Sequence, residues 1–242
     1  MTVIAVTSVK HSPGATTLAL ALVAAWASGP ASGDRRAVLV EADPAGGDLA
    51  GRIGLPLDPG LVSLATSARH PGAPVDVAGH LQLLPAGGQV VLGPTSPEQA
   101  DGAVRSLAHR LPGAVRSFGF AVIDCGRWAP GSPAGAALAG SDVSLVVVRP
   151  DLVGIEHLRS RLDTLRHMAG GELVIAVVGE RPYAADAVRS ATGCNVVAVA
   201  VDPAGVEGLH GGRRTAFARR SPLVRSARSV LDRVLSPEPV PA

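Results

Sequence analysis

The chain has 242 residues, of which 47% are hydrophobic and 17% charged, with a formal net charge of +2, so it carries enough apolar side chains for a sizeable core and is not disordered as a whole. The longest apolar runs, "LALALVAAWA" and "VSLVVV", fall short of the ~20 residues a membrane span needs, and the N-terminus lacks the basic flank of a signal peptide. A cytoplasmic protein without membrane insertion is predicted. Two cysteines, Cys125 and Cys194, form neither metal-ligand spacing nor a disulfide framework, which suits a reducing compartment.

In chain order, apolar runs alternate with helical patterns. Strands are predicted over 2–9, 37–43, 81–86, 118–124, 143–149, 173–179 and 196–202. The runs are continuous rather than alternating, as parallel strands covered on both faces require. Helices are predicted at "TTLALALVAAWA", at "SPEQADGAVRSLAHRL" with Ser96 as N-cap and Pro97 in the first turn, and at "DLVGIEHLRSRLDTLRHM" with Leu152, Ile155, Leu158, Leu162 and Leu165 at helical spacing. "ERPYAADAVRSATG" and "SPLVRSARSVLDRVL" complete the series. The pattern specifies an α/β fold with a mostly parallel central sheet of about seven strands and helices on both faces, in one domain over 1–235. The Pro-rich end 236–242 reads as a disordered tail.

In such a sheet a ligand sits where strands run into helix N-termini. "SVKHSPGATT" occupies that place after the first strand, and Lys10 is the only lysine among 22 Lys and Arg residues. A phosphate loop of the form G-x-x-x-x-G-K-[ST] aims backbone N–H groups at phosphate oxygens, with its lysine on the outer phosphates and its hydroxyl on magnesium. Gly14 and Thr16 fit the second glycine and the hydroxyl position. Val9 stands at the first glycine and Ala15 at the lysine.

A variant accommodates this loop. The deviant Walker A loop of the ParA/MinD family of P-loop ATPases (SIMIBI class) reads K-G-G-x-G-K-[ST], and Lys10 falls on its additional signature lysine. "VLVEADPAGGDLAGRIGL" resembles the family's second strand, with Asp43 on the aspartate that orients the attacking water. "FGFAVIDCG" resembles Walker B, with Asp124 on the aspartate that acts on magnesium through water. "VAVAVDPAGVEGLHGG" resembles the late strand and loop near the adenine. The resemblance runs from Met1 to about Leu235 and is closest to the divergent TadZ/CpaE branch, which positions pilus and secretion machinery.

The resemblance implies ATP and Mg as cofactors, with Lys10, His11, Ser12, Pro13, Gly14, Ala15, Thr16 and Thr17 around the nucleotide. It implies Thr16 and Asp124 toward the metal, and Asp43 and Lys10 in catalysis. It further implies a nucleotide-dependent homodimer, a protein partner in a pilus or secretion, division or segregation system, and recruitment to a pole, septum or membrane-bound complex. His11, Ser12 and Ala15 replace Gly, Gly and Lys, and Pro13 offers no N–H, so ATP hydrolysis is expected to be weak or lost. Gly179 and Glu180 stand where the family often reads adenine with Asn-Arg.

Each assignment has a structural alternative. Thr16 can cap its helix locally, and Asp43 can form the turn before Pro44. Cys125 lacks a His and acid partner and is assigned no chemistry, and the seven His show no metal spacing. Residues 205–242 hold seven Arg against Glu207, Asp232 and Glu238. That cluster can meet DNA phosphates, lie on acidic lipid, or be the solvated face of a packed helix. The stripe Leu223, Ala227, Val230, Leu231 and Val234 favours the packed helix, with DNA contact second and membrane binding last.

Overall fold

The computed structural model describes residues 1–11, 13–29, 36–70, 72–211 and 220–235. Ser12, the expected tail 236–242 and Arg213, Arg214 and Arg219 of the basic cluster lie outside them. The elements are β1 (Thr2–Ser8), α1 (Ala15–Ala27), β2 (Ala37–Glu41), α2 (Leu49–Ile53), α3 (Leu61–Ser67), β3 (Gln82–Leu83), β4 (Gln89–Val91), α4 (Pro97–Leu107), α5 (Leu111–Ala114) and β5 (Phe120–Arg127). They continue with α6 (Gly135–Gly140), β6 (Val143–Val148), α7 (Leu152–Arg159), α8 (Leu162–Met168), β7 (Glu172–Val178), α9 (Ala185–Thr192), β8 (Asn195–Val199), α10 (Pro203–Leu209) and α11 (Pro222–Leu235).

One eight-stranded sheet runs in the order β3-β4-β2-β5-β1-β6-β7-β8. Every pairing is parallel except β3 with β4. The expected mostly parallel α/β sheet is present, with one strand more than expected. The predicted strand over 81–86 shrinks to Gln82 and Leu83, and the chain turns back through Gly87 and Gly88 into β4. Three residues are too short a run to register as a strand against the surrounding turn residues.

The continuous apolar strands bury both faces. Along β1, Val3 and Ala5 enter one core cluster with β5 and the α7 side, while Ile4 and Val6 enter the other with α1 and α11. Trp26 of α1 stacks on Phe120 of β5, with ring centroids 4.7 Å apart and planes at 11°. The predicted helix over 151–168 breaks after Arg159 into α7 and α8. Ile155, Leu158, Leu162 and Leu165 are buried as the spacing implies, whereas Leu152 is 62% exposed because it opens the first turn of α7. Ser96 accepts a hydrogen bond from the Gln99 N–H (3.4 Å) at the start of α4. All five residues of the α11 stripe are buried, and α11 docks on α1. Among the described residues no helix is long and apolar enough to cross a membrane.

Candidate functional site

The sheet order fixes what meets at the carboxyl edge. β5 and β1 are neighbours, with β2 beyond β5, so the segment after β2, the second half of β5 and the segment after β1 lie side by side. They carry Asp43, Asp124 and the loop 9–14. β1 and β5 are locked at this end: Thr7 Oγ1 donates to the Gly126 carbonyl (3.0 Å), and the Trp128 N–H donates to the Ser8 carbonyl (2.8 Å).

Two described residues of the loop, His11 and Gly14, have the positive φ that favours glycine. Gly14, at φ 101°, is the N-cap of α1, and its carbonyl accepts from the Leu18 N–H (2.8 Å). No side chain caps α1, which leaves its first-turn N–H groups directed at the loop side. His11 has φ 56°, a left-handed conformation that costs a non-glycine residue about 1–2 kcal/mol, at a position where the resembling loop has glycine. Ala15 is buried and brings no charge, and Thr16 faces Asp124 from the first turn of α1.

Asp124 is fully buried. Its Oδ1 accepts from the Gly126 N–H (3.1 Å), and its Oδ2 has no hydrogen-bond partner. Burial pushes its pKa up to about 7, the Thr16 hydroxyl and the Gly126 N–H oppose this, and the charges of Glu41 and Asp43 reinforce it. Asp43 accepts from the Ala45 N–H (2.8 Å), and burial chiefly raises its carboxyl as well. An orphaned buried carboxylate oxygen beside a hydroxyl and a second carboxylate is a setting that a cation relieves. No group of three His, Cys, Asp or Glu among the described residues could cage a metal unaided. The set therefore fits magnesium, which takes one or two protein groups and fills its octahedron with phosphate and water oxygens.

Gly126 is required twice over. Its φ is 58°, and a Cβ there would fall on the Asp43 carboxyl group. A Gly126→Ala variant will melt about 5 °C lower, from backbone strain and displacement of Asp43. It will also lose any stabilisation that ATP with Mg²⁺ gives the parent, which paired thermal melts will show.

Sequence reasoning missed Glu41. Its side chain is 1% exposed, and its carboxylate accepts from the N–H groups of Asp48 (2.8 Å), Leu49 (2.9 Å) and Gly93 (3.0 Å). It ties the 43–48 loop to the segment after β4 and so positions Asp43. The available signal was an acid ending an otherwise apolar strand ahead of two glycines.

On the other side of the loop a cleft of about 920 Å³ opens between the ends of β6, β7 and β8. Pro13, Gly14, Thr17, Arg149, Glu180, Arg181 and Asp202 line it with Val178, Val199 and Val206. Asp202 is committed to capping, accepting from Gly205 (2.9 Å) and Leu223 (3.2 Å). The structure thus gathers Lys10, His11, Pro13, Gly14, Ala15, Thr16, Thr17, Asp43 and Asp124 along one edge of the sheet.

An open, mostly parallel sheet with a phosphate-loop-like turn, two carboxylates beyond it and a cleft beside it is the arrangement of the P-loop NTPase fold. Solved structures agree. A ParA family ATPase from Chlorobium tepidum TLS superposes with a TM-score of 0.75 at 16% identity over 97% of this chain and 98% of that one. The septum site-determining protein MinD from Pyrococcus horikoshii, complexed with Mg-ADP, gives 0.74 at 16% identity over 98% and 99%. MinD from the MinC:MinD cell division complex of Aquifex aeolicus gives 0.65 at 17% identity over 100% and 98%. The fold is that of the ParA and MinD ATPases. At the level of sequence, neither a family model nor a curated protein matches.

Proposed function

We propose that the chain is a ParA/MinD-like, nucleotide-responsive dimerising switch with a degenerate phosphate loop. It works from the cytoplasm and helps to position a cellular machine: a pilus or secretion assembly, a septum or a chromosome. The observation that carries this reading is the juxtaposition of Asp43 and Asp124 beside the open N-terminus of α1, with the cleft at Gly14 and Thr17 for the rest of a nucleotide. The MinD of the same fold bound to Mg-ADP supports ATP and magnesium as ligands, and the MinC:MinD complex supports a protein partner.

Thr16 and Asp124 would hold the metal, which when bound draws charge from the outer phosphates. Asp43, with its carboxyl raised by burial, is placed to accept the proton of an attacking water. The first-turn N–H groups of α1 hold phosphate oxygens. Ala15 supplies no cation there, and loss of one such electrostatic contact costs on the order of a hundredfold in rate. Turnover is accordingly slow, and ligand binding is the useful event. The docked stripe of α11 favours a structural role for that helix over DNA contact.

Lys10 then serves assembly rather than chemistry, since a point charge on a flexible stem suits a reach across an interface. Sedimentation with ATP and Mg²⁺ will show an increase in mass for the parent chain. Lys10→Ala will reduce that increase while leaving the melting temperature unchanged. A parent chain that neither binds nucleotide in calorimetry nor changes mass is instead a scaffold that acts through protein contacts alone.

A further inference from the structure

Because β1 pairs with β6, the segment after β1 runs beside the segment that leads from β6 into α7. Val9 and the α7 residues Ile155 and Leu158 are all buried in the core cluster on one face of the sheet. From that helix and the junction after it come His157 and Arg161.

Arg161 departs from the chain's own habit. Among the described residues five helical arginines pair with an acid three or four residues earlier: Arg52 with Asp48, Arg105 with Asp101, Arg159 with Glu156, Arg166 with Asp163 and Arg189 with Asp186. Four residues before Arg161 the chain has His157 instead. Arg161 Nη1 lies 2.9 Å from His157 Nδ1, 3.1 Å from the His157 carbonyl and 3.1 Å from Ser160 Oγ. A guanidinium only donates, so Nδ1 accepts and the proton of the neutral ring sits on Nε2, which makes His157 a second donor. Arg161 Nε is buried without a hydrogen-bond partner. Partial burial first, and then the charges of Lys10, Arg161 and His11, lower the basicity of His157, so each of those three groups acts on His157. Among the described residues none of the four has an ion-pair partner. Four uncompensated cationic or donor groups beside a phosphate loop constitute a site for concentrated negative charge.

We propose that His157 and Arg161, with Lys10, form the cationic wall that holds the outer phosphates of a bound nucleotide in the ground state, which supports binding without restoring the transition-state contact that Ala15 lacks. The inference rests on the nucleotide reading above and names the residues that make it possible without the usual lysine. With the base end of the ligand in the cleft beyond Gly14, the phosphate chain runs back along the loop toward Lys10, where the wall stands. The phosphates come either from the same subunit's nucleotide or from one held by a second copy of the chain.

The test is titration of the full chain with ATP, AMP and inorganic tripolyphosphate, each with Mg²⁺, for the parent, a His157→Ala/Arg161→Gln double variant and Arg161→Lys. The double variant will bind ATP about tenfold or more weakly, as expected for loss of charge-assisted hydrogen bonds, with AMP affinity within twofold of the parent. Arg161→Lys, which keeps the charge and loses the fork, will recover part of the loss and guards against a folding artefact, as do matched melting curves. A loss seen below the concentration at which the chain associates assigns the phosphates to the same subunit, and one confined to the associated form assigns them to its partner. Equal losses for ATP and AMP, or none for ATP, overturn the wall. If the parent binds tripolyphosphate but no nucleotide, and the double variant loses it, the wall stands and the nucleotide reading falls. Binding of neither overturns both.

Discussion

An Asp124→Asn variant will melt about 5–10 °C higher than the parent at pH 8 in the absence of ligand, with about two-fifths of that difference left at pH 5 and almost none near pH 3. Folding pushes the Asp124 carboxyl from 3.8 up to about 7. Between those values the native state holds more protons than the unfolded chain, so stability falls as pH rises through the window and levels off above it. The shift corresponds to roughly 4 kcal/mol at most, and for a chain of this length each kcal/mol moves the midpoint about 2–4 °C. Glu41 and Asp43 are raised by burial too, so the parent's decline is steeper than one group would give. Asparagine keeps the acceptor used by the Gly126 N–H and removes the charge. Added Mg²⁺ with ATP will recover stability for the parent at pH 8 and not for the variant. Calorimetric melts across pH 3 to 8 decide this, and an Asp124→Asn protein less stable than the parent at pH 8 would contradict it.

Glu41→Ala will be the most damaging single substitution at this edge of the sheet, lowering the melting temperature by about 10 °C or more or preventing folding. Three backbone donors lose their acceptor at once. Each buried donor left without a partner costs about 1–3 kcal/mol, against a total stability on the order of 5–15 kcal/mol. Glu41→Gln will fall in between, because one oxygen can still serve Asp48 and Leu49 while the amide N–H group opposes the Gly93 N–H. Circular dichroism melts of the three proteins should rank parent, Gln and Ala in that order. A Gln variant as stable as the parent would show that the clip does not hold the loop.

The long parallel strands and α1 were legible because each is a continuous apolar run bounded by turn residues. The placement of the loop between β1 and α1, and of Asp43 and Asp124 at the carboxyl side of β2 and β5, was legible from the order of apolar runs. Other features depend on tertiary placement and leave little trace in a local pattern. β4 has only three residues, and the α7–α8 break follows no glycine or proline. Helical spacing alone makes Leu152 a core residue, but the first turn of α7 faces outward. Glu41 reads as a variant of a neighbouring acid until its three N–H partners, one of them 52 residues away, are seen together. The association of His157 with Lys10 is of the same kind, created by the adjacency of β6 and β1.

α1 is buried from Leu18 to Trp26 on every side, wedged between the sheet and α11 with α10 against its flank. A helix with a solvent face can roll or slide by trading contacts with water for contacts with neighbours; this one has no such freedom, since any tilt would open voids on one side and clashes on the other. Mechanically it is an anvil. Whatever strikes the loop meets a fixed base at Gly14, which leaves as softer flanks the 43–48 turn held by Glu41 and the 9–11 stretch ahead of the helix. A signal from an occupied site would accordingly leave this molecule sideways, across the end of the sheet, and not lengthwise through its central helix.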